Sequence, residues 1–495
     1  MDVAVLILLS TGLFMGWSLG ANDAANVFGT AVGTRMVRFT TAALICSIFV
    51  ILGAVISGAG AAQTLGKLGA INALAGSSVA AFAAALTVYV MTRAGLPVST
   101  SQAIVGAIIG WNLFSGFPTD SQALVKIVST WVACPILAGV LAAGLFKLTA
   151  GFAYRINLHL LRQDAYIRAG LILAGAFGAY SLGANNIANV MGVFVAANPF
   201  TSFEIGDVFS FSAVQQLFLL GAIAIGVGVF TYSKRVMMTV GNSLLQMSPL
   251  AAWVVVISHS ITLFVFASEQ LEHALASAGL PTIPLVPVSS SQAVVGGVIG
   301  IGLVKGGGGI RWGVVGNIAS GWVTTPVIAC VVCFISLFFM QNIFNQQVFR
   351  AVTYVLSEPA FERLNASGVA TQSLRPLAAS RFDDIKSFRT AISAAGPFAV
   401  SDERRIIELA RIDDIHVAPA AIPTSTASGL SLPQIAALRR LGGQRFRHGW
   451  QFADALAAAD DAWAPRPDTT VNKTYNKALR RQIDSVIRLF RTVGP

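Results

Sequence analysis

The chain has 495 residues, of which 55% are hydrophobic and 11% charged, with a formal net charge of +11. Soluble proteins carry about 25% charged residues, so an ordinary water-soluble enzyme is excluded. Residues 1–345 hold only 21 charged side chains and residues 346–495 hold 34, so the first part reads as a membrane domain and the second as water-facing.

Ten apolar stretches, roughly 3–22, 39–60, 73–92, 97–115, 125–150, 168–190, 208–230, 251–268, 283–303 and 312–340, are long enough, or nearly so, to cross about 30 Å of hydrocarbon. Loops after the odd-numbered stretches carry Arg35, Arg38, Arg93, Lys147, Arg155, Arg162, Arg168, Lys234, Arg235, Lys305 and Arg311. The alternate loops carry only Lys67 and Lys126, beside Asp120, Glu204, Asp207, Glu269 and Glu272. Basic loops stay in the cytoplasm during insertion, so the N-terminus and, after ten crossings, the C-terminal tail are expected outside. Neither part is basic enough for nucleic acid. Cys46, Cys134, Cys330 and Cys333 all lie in apolar segments, so no disulfide framework is expected.

The chain repeats itself. Ser18-Leu-Gly-Ala-Asn-Asp-Ala-Ala-Asn-Val-Phe-Gly29 recurs as Ser181-Leu-Gly-Ala-Asn-Asn-Ile-Ala-Asn-Val-Met-Gly192, at an offset of 163 residues (18 to 181). Pro97-Val-Ser-Thr-Ser-Gln-Ala-Ile-Val-Gly106 recurs as Pro287-Val-Ser-Ser-Ser-Gln-Ala-Val-Val-Gly296, at an offset of 190 (97 to 287). Trp131-Val-Ala-Cys-Pro135 and Trp322-Val-Thr-Thr-Pro326 form a third pair. The larger offset places extra residues in the second copy, expected around 234–250. Five stretches per copy is an odd number, so the copies would enter the membrane in opposite senses. Secondary transporters use such inverted repeats, with the substrate near the midplane. The expected fold is therefore an all-α polytopic membrane protein of two inverted-topology repeats, 1–166 and 167–345, with a water-facing helical tail over 346–495.

Asn22, Asp23 and Asn26 interrupt an apolar helix, and a carboxylate inside the membrane costs several kcal/mol unless partnered. Asp23 has no basic partner in the apolar stretches, so a bound cation or a proton would satisfy it, and hard cations favour oxygen ligands. Asn185, Asn186 and Asn189 stand in the second copy. In the other motif, proline suits the first turn of a helix. Ser99, Thr100, Ser101 and Gln102, mirrored by Ser289, Ser290, Ser291 and Gln292, then put hydroxyls and free N–H groups at a helix start. That is a ready anion site.

Gly20-Ala-Asn-Asp-Ala-Ala-Asn26, Gly183-Ala-Asn-Asn-Ile-Ala-Asn189 and the two Pro-Val-Ser-x-Ser-Gln segments resemble the inorganic phosphate transporter family over residues 3–340. The resemblance implies a sodium- or proton-coupled phosphate symporter of about a dozen helices or broken half-helices. It needs no other cofactor and would sit in a bacterial inner membrane with both termini outside. It implies that Asp23, Asn26, Asn186, Asn189, Ser99–Gln102 and Ser289–Gln292 line the phosphate site. Asp23, Asn26, Asn186 and Asn189 would also hold sodium, if sodium is the coupling ion. Many members carry aspartate where this chain has Asn186, so one carboxylate is missing. Expected partners are inorganic phosphate and the lipid bilayer, and a homo-oligomer is compatible with the resemblance. Alternatives are a sulfate permease of the same fold and a passive anion channel. An intramembrane enzyme is disfavoured because Asp23 lacks a second catalytic carboxylate or a nucleophile.

His259 is the one intramembrane histidine; hydrogen-bonded packing is favoured over proton relay. The Lys305-Gly-Gly-Gly-Gly-Ile-Arg311 loop lacks the P-loop spacing and reads as a turn. In the tail, 346–366, 401–413, 432–441, 450–462 and 473–493 read as amphipathic helices, the last carrying Leu479, Ile483, Ile487 and Phe490.

Overall fold

A computed structural model describes residues 3–492, apart from 70, 95–97, 157–158, 206–208, 244–246, 308, 424 and 427–428. Pro97 and Asp207 lie outside the described residues.

The chain up to residue 156 contains α1 (Val3–Gly33), α2 (Phe39–Ser57), α3 (Ala59–Leu68), α4 (Leu74–Arg93), α5 (Thr100–Ser115) and α6 (Ser121–Ile156). Beyond it stand α7 (Leu160–Met191), α8 (Ala213–Thr231), α9 (Ser233–Ser243), α10 (Pro249–Val265), α11 (Glu269–Ser277), α12 (Ser290–Val304) and α13 (Trp312–Asn342). A short hairpin, β1 (Phe203–Ile205) with β2 (Phe209–Phe211), joins α7 to α8. Among the described residues α1, α2, α4, α6, α7, α8 and α13 are long and apolar enough to cross a membrane, and α10 with α11 passes the same test as a pair bent by 66°. Each of the ten apolar stretches carries a helix, but α5 and α12 fall short of this length, so eight and not ten of the expected crossings are met among the described residues. The helix α7 begins ahead of the expected division at 166/167.

The two helices that open on Ser-x-Ser-Gln are short and broken off from what precedes them. Ser99 and Ser289 are their N-caps, each accepting from the backbone N–H three residues on, of Gln102 and Gln292. Pro287 therefore stands outside the helix, ahead of the cap, and not in the first turn as the sequence suggested. The serine hydroxyl wins the cap position because it satisfies an orphan N–H that proline cannot.

The copies interlock through glycines, and each approach in one copy has its counterpart in the other. A Cβ on Gly20 of α1 would lie 2.0 Å from the Ile225 carbonyl oxygen, and one on Gly183 of α7 would lie 2.1 Å from that of Val50. Gly53 meets the Tyr180 carbonyl and Gly228 meets that of Trp17. Gly106 of α5 sits on the Pro326 carbonyl and Gly296 of α12 on that of Pro135, both at 2.1 Å. Without a hydrophobic drive between helices in lipid, close backbone approach through small residues supplies the packing. The matched positions Gly53 and Gly228 stand 175 residues apart. The offset thus grows from 163 to 175 between α7 and α8, where the hairpin lies, and reaches 190 only by α12. The extra residues are split between these two places, not gathered around 234–250.

The tail is mixed rather than purely helical. It holds β3 (Tyr354–Val355), α14 (Glu358–Ala366), β4 (Arg381–Phe382), α15 (Ile385–Ala395), α16 (Val400–Ala410), β5 (Ile415–His416), α17 (Leu432–Arg440), β6 (Arg445–Phe446), α18 (Gly449–Ala459) and α19 (Lys473–Phe490). Strands β3 and β4 pair, as do β5 and β6. Residues 346–357 are not helical, and α15, whose Ile385, Phe388 and Ile392 are buried, went unread in the sequence. Two cores form, one around Tyr354, Phe361 and Phe388, the other around Phe452, Trp463 and Phe490.

Both tail units grip the same end of the membrane domain. Lys386 Nζ donates to the Phe114 carbonyl at the end of α5, and Arg404 pairs with Asp120 before α6 at 2.7 Å. On α11, Lys477 pairs with Glu272 at 2.7 Å and Arg481 with Glu269 at 2.9 Å.

Candidate functional site

The four motifs meet where α1 and α7 pass the starts of α5 and α12. All twelve candidate residues are buried: Asp23, Asn26, Ser99, Thr100, Ser101, Gln102, Asn186, Asn189, Ser289, Ser290, Ser291 and Gln292. Among the described residues no cationic side chain pairs with Asp23, yet it is not bare. Asn22 Nδ2 donates to Oδ1 at 2.8 Å, while Thr100 Oγ1 (3.2 Å) and Asn186 Nδ2 (3.1 Å) donate to Oδ2. Three neutral donors replace part of the water the carboxylate loses, and none supplies a countercharge.

The remaining contacts tie each Asn motif to the serine helix of the opposite copy. Asn26 Nδ2 donates to Ser290 Oγ at 3.0 Å, and Asn189 Nδ2 donates to Ser101 Oγ at 2.9 Å and, at 3.4 Å, to Asn186 Oδ1. Ser101 Oγ in turn donates to the Val288 carbonyl at 2.9 Å, and Ser289 and Ser291 hydroxyls lie 3.1 Å apart. Asn185 fixes the approach to α12, accepting from Val288 N at 2.9 Å and donating to the Val286 carbonyl at 3.1 Å. Asn22 does the same in the first copy through the Val98 carbonyl, 3.3 Å away.

Buried polar oxygens are left over. Among the described residues Gln102 Oε1, Gln292 Oε1 and Asn189 Oδ1 have no hydrogen-bond partner. Such atoms are costly unless something binds them. These oxygens and the Asp23 carboxylate are of the type hard cations favour, and the two helix starts carry N–H groups and hydroxyls that suit an oxyanion.

Sequence reasoning set two participants aside or missed them. His259 Nε2 lies 2.9 Å from Ser290 Oγ, so the histidine weighed as packing borders the site. Thr92 Oγ1 donates to Asn22 Oδ1 at 3.4 Å; nothing in its local pattern marks it, since only the fold brings the end of α4 beside α1.

The family model described as "Phosphate transporter family" matches residues 19–282 and 274–396. A "Putative phosphate permease" of Methanocaldococcus jannaschii is 27% identical over 336 residues, covering 68% of this chain and 97% of that protein. The sulfate permease CysP of Bacillus subtilis is 28% identical over 365 residues, covering 72% of this chain and 93% of that one. A solved structure described as "The sodium-dependent phosphate transporter" superposes with a TM-score of 0.53 at 24% identity, covering 68% of this chain and all of that one; at this identity the likeness speaks for the fold. With both motif copies inside the matched span, the chain belongs to the phosphate transporter family, a family of membrane permeases and not of enzymes.

Proposed function

We propose that the chain is a secondary active transporter that imports inorganic phosphate together with sodium ions or protons. The anion would bind near the midplane, between the paired Asn/Asp motifs and the starts of α5 and α12. The observation that carries this reading is the burial of four separate motifs in one cluster around a carboxylate that has donors but no countercharge. Ser99–Gln102 and Ser289–Gln292 would hold the oxyanion, and Asp23, Asn26, Asn186 and Asn189 the coupling cation. Of the two ions sodium is favoured, because the superposed transporter is described as sodium-dependent.

The reciprocal glycine contacts support reading residues 1–166 and 167–345 as two copies of one unit inserted in opposite senses, the arrangement that lets a central site face either side by rocking. The basic loops support placing the N-terminus and tail outside, in a bacterial inner membrane. Sulfate is the second reading, favoured by the similarity to a sulfate permease. Phosphate is preferred because it donates hydrogen bonds through its own protons, which Asp23 can accept.

The test is uptake of labelled phosphate into proteoliposomes against its own gradient, driven by imposed sodium or pH gradients, with excess sulfate as competitor. Uptake that sulfate blocks and phosphate does not would reverse the substrate. Equilibration without accumulation under either gradient would make the protein a channel.

A further inference from the structure

Thr100 and Ser290 hold matching positions at the starts of α5 and α12, yet their hydroxyls are used differently. Thr100 Oγ1 donates to Asp23 Oδ2, so its proton is committed and its lone pairs face outward. Ser290 Oγ accepts from Asn26 Nδ2 at 3.0 Å and also lies 2.9 Å from His259 Nε2. His259 is completely buried in α10, and its Nδ1 has no partner among the described residues.

Which ring nitrogen carries the proton follows from that orphan. A buried N–H without an acceptor is rarer in proteins than a buried acceptor without a donor. The proton therefore sits on Nε2, and Nδ1 keeps a bare lone pair. Nε2–H then donates to Ser290 Oγ, which already accepts from Asn26. With two donors on it, the hydroxyl has no lone pair left, and its own proton points away from both, free for a further acceptor.

We infer that His259 is a positioning residue for transport: by donating to Ser290 it fixes that hydroxyl as a hydrogen-bond donor to the bound oxyanion. This rests on the transport reading above. It also distinguishes the two helix starts, because the Thr100 proton is taken up by Asp23 whereas the Ser290 proton stays available to an anion. The motifs differ here only by Thr100 against Ser290, and the contacts to Asp23 and to His259 set the two hydroxyls apart.

Two substitutions of like polarity but different reach provide the test. The amide of His259→Gln extends to the place of Nε2, whereas that of His259→Asn ends near the place of Nδ1. In proteoliposomes with labelled inorganic phosphate, His259→Asn is expected to raise the phosphate KM roughly tenfold, the scale of one lost hydrogen bond to a charged ligand. The cation concentration for half-maximal uptake should stay within about threefold, as a lost donor acts on the anion alone. His259→Gln should restore the phosphate KM to within about threefold of wild type. Ser290→Ala should match His259→Asn, and the double variant should be no worse than either alone. Equal behaviour of the Asn and Gln variants, additive losses in the double variant, or failure of both single His259 variants to accumulate as monodisperse protein would overturn the assignment and leave His259 a packing residue. Absence of phosphate uptake by wild type in the same vesicles would instead overturn the transport reading, and this inference with it.

Discussion

Asp23 and Asn186 occupy the same place in the two copies of one motif, and they touch: Asn186 Nδ2 donates to Asp23 Oδ2 across 3.1 Å. A position and its own repeat thus form a single contact at the centre of the protein, and the two partners differ by one formal charge. The amide satisfies the carboxylate without neutralising it.

Replacing Asn186 with aspartate would set two carboxylates at that separation. Two such groups cannot both ionise without a cation or shared proton between them. Asn186→Asp is expected to fold and to transport, with a steeper dependence on sodium or on protons than wild type. Uptake measured across sodium concentration and pH checks this; unchanged ion dependence would show that the pair does not hold the coupling ion.

Asp23→Asn removes the only formal charge in the cluster among the described residues. Driven uptake should fall on the order of a hundredfold, the scale of a lost charged ligand, while the protein still inserts and runs as monodisperse material. A mild effect, equal to that of Asn186→Asp, would remove Asp23 from the role of principal cation ligand.

The glycine contacts predict a sharp contrast within one residue type. An alanine at Gly106 or Gly296 would bring its Cβ to 2.1 Å from a proline carbonyl, whereas one at Gly144 meets nothing within 4 Å. Gly106→Ala and Gly296→Ala should each cost about 1–3 kcal/mol or more, as overpacking does, and Gly144→Ala should be neutral or mildly stabilising. Thermal stability of the purified variants in detergent measures this. Equal loss at 106 and 296 is the signature of the repeat.

Much of this was legible in the sequence because periodicity and repetition are local properties. The apolar stretches found their helices, and the four motifs lie buried near one another. What escaped depends on contacts across the chain. The donors to Asp23 and the place of His259 beside Ser290 follow from packing that no window of neighbouring residues contains, whereas α15 is marked locally, by the Asp384 cap and the helical spacing of Ile385, Phe388 and Ile392. The position of Pro287 was misjudged for a different reason: proline and serine compete for the same helix start, and the hydroxyl cap prevailed.

On the tail, Lys477 pairs with Glu272, which is 7% exposed, and Arg481 with Glu269, which is 36% exposed. Removing a partner from a buried charge is costly, whereas exposed pairs contribute at most about 1 kcal/mol. Lys477→Ala should therefore loosen α19 from α11 more than Arg481→Ala does. Hydrogen exchange over Lys473–Phe490 reads the difference, and equal protection in the two variants would contradict it.

His448 joins the two tail units, with Nδ1 2.7 Å from the Arg411 carbonyl and Nε2 3.2 Å from Ser357 Oγ. Burial holds its imidazole below the ordinary value of 6.5, with the nearby Arg447 charge acting in the same direction and Asp413 and Asp414 opposing. The fold thus favours the neutral ring, so the unfolded tail binds the extra proton first. Its contribution to stability is fully present above about pH 6.5 and is lost as pH falls from there toward the folded value. Acidification should expose protease sites in the tail, and His448→Gln should remove that part of the pH dependence.

The exchange of partners between copies also sets an order of events during synthesis. α1 lies against α8, and Asp23 against Asn186, so the first helix leaves the ribosome long before the segments that complete it exist. Until Asn186 is made, the carboxylate has only Asn22 and Thr100 from its own copy, and Gly20 faces lipid instead of the Ile225 carbonyl. The first half is thus an unfinished surface that waits for its counterpart, and its contacts join residues far apart in the chain, the condition under which folding is slow. A nascent chain released after α6 should therefore be recognised as misassembled and degraded, while the full chain, once α8 closes on α1, should not.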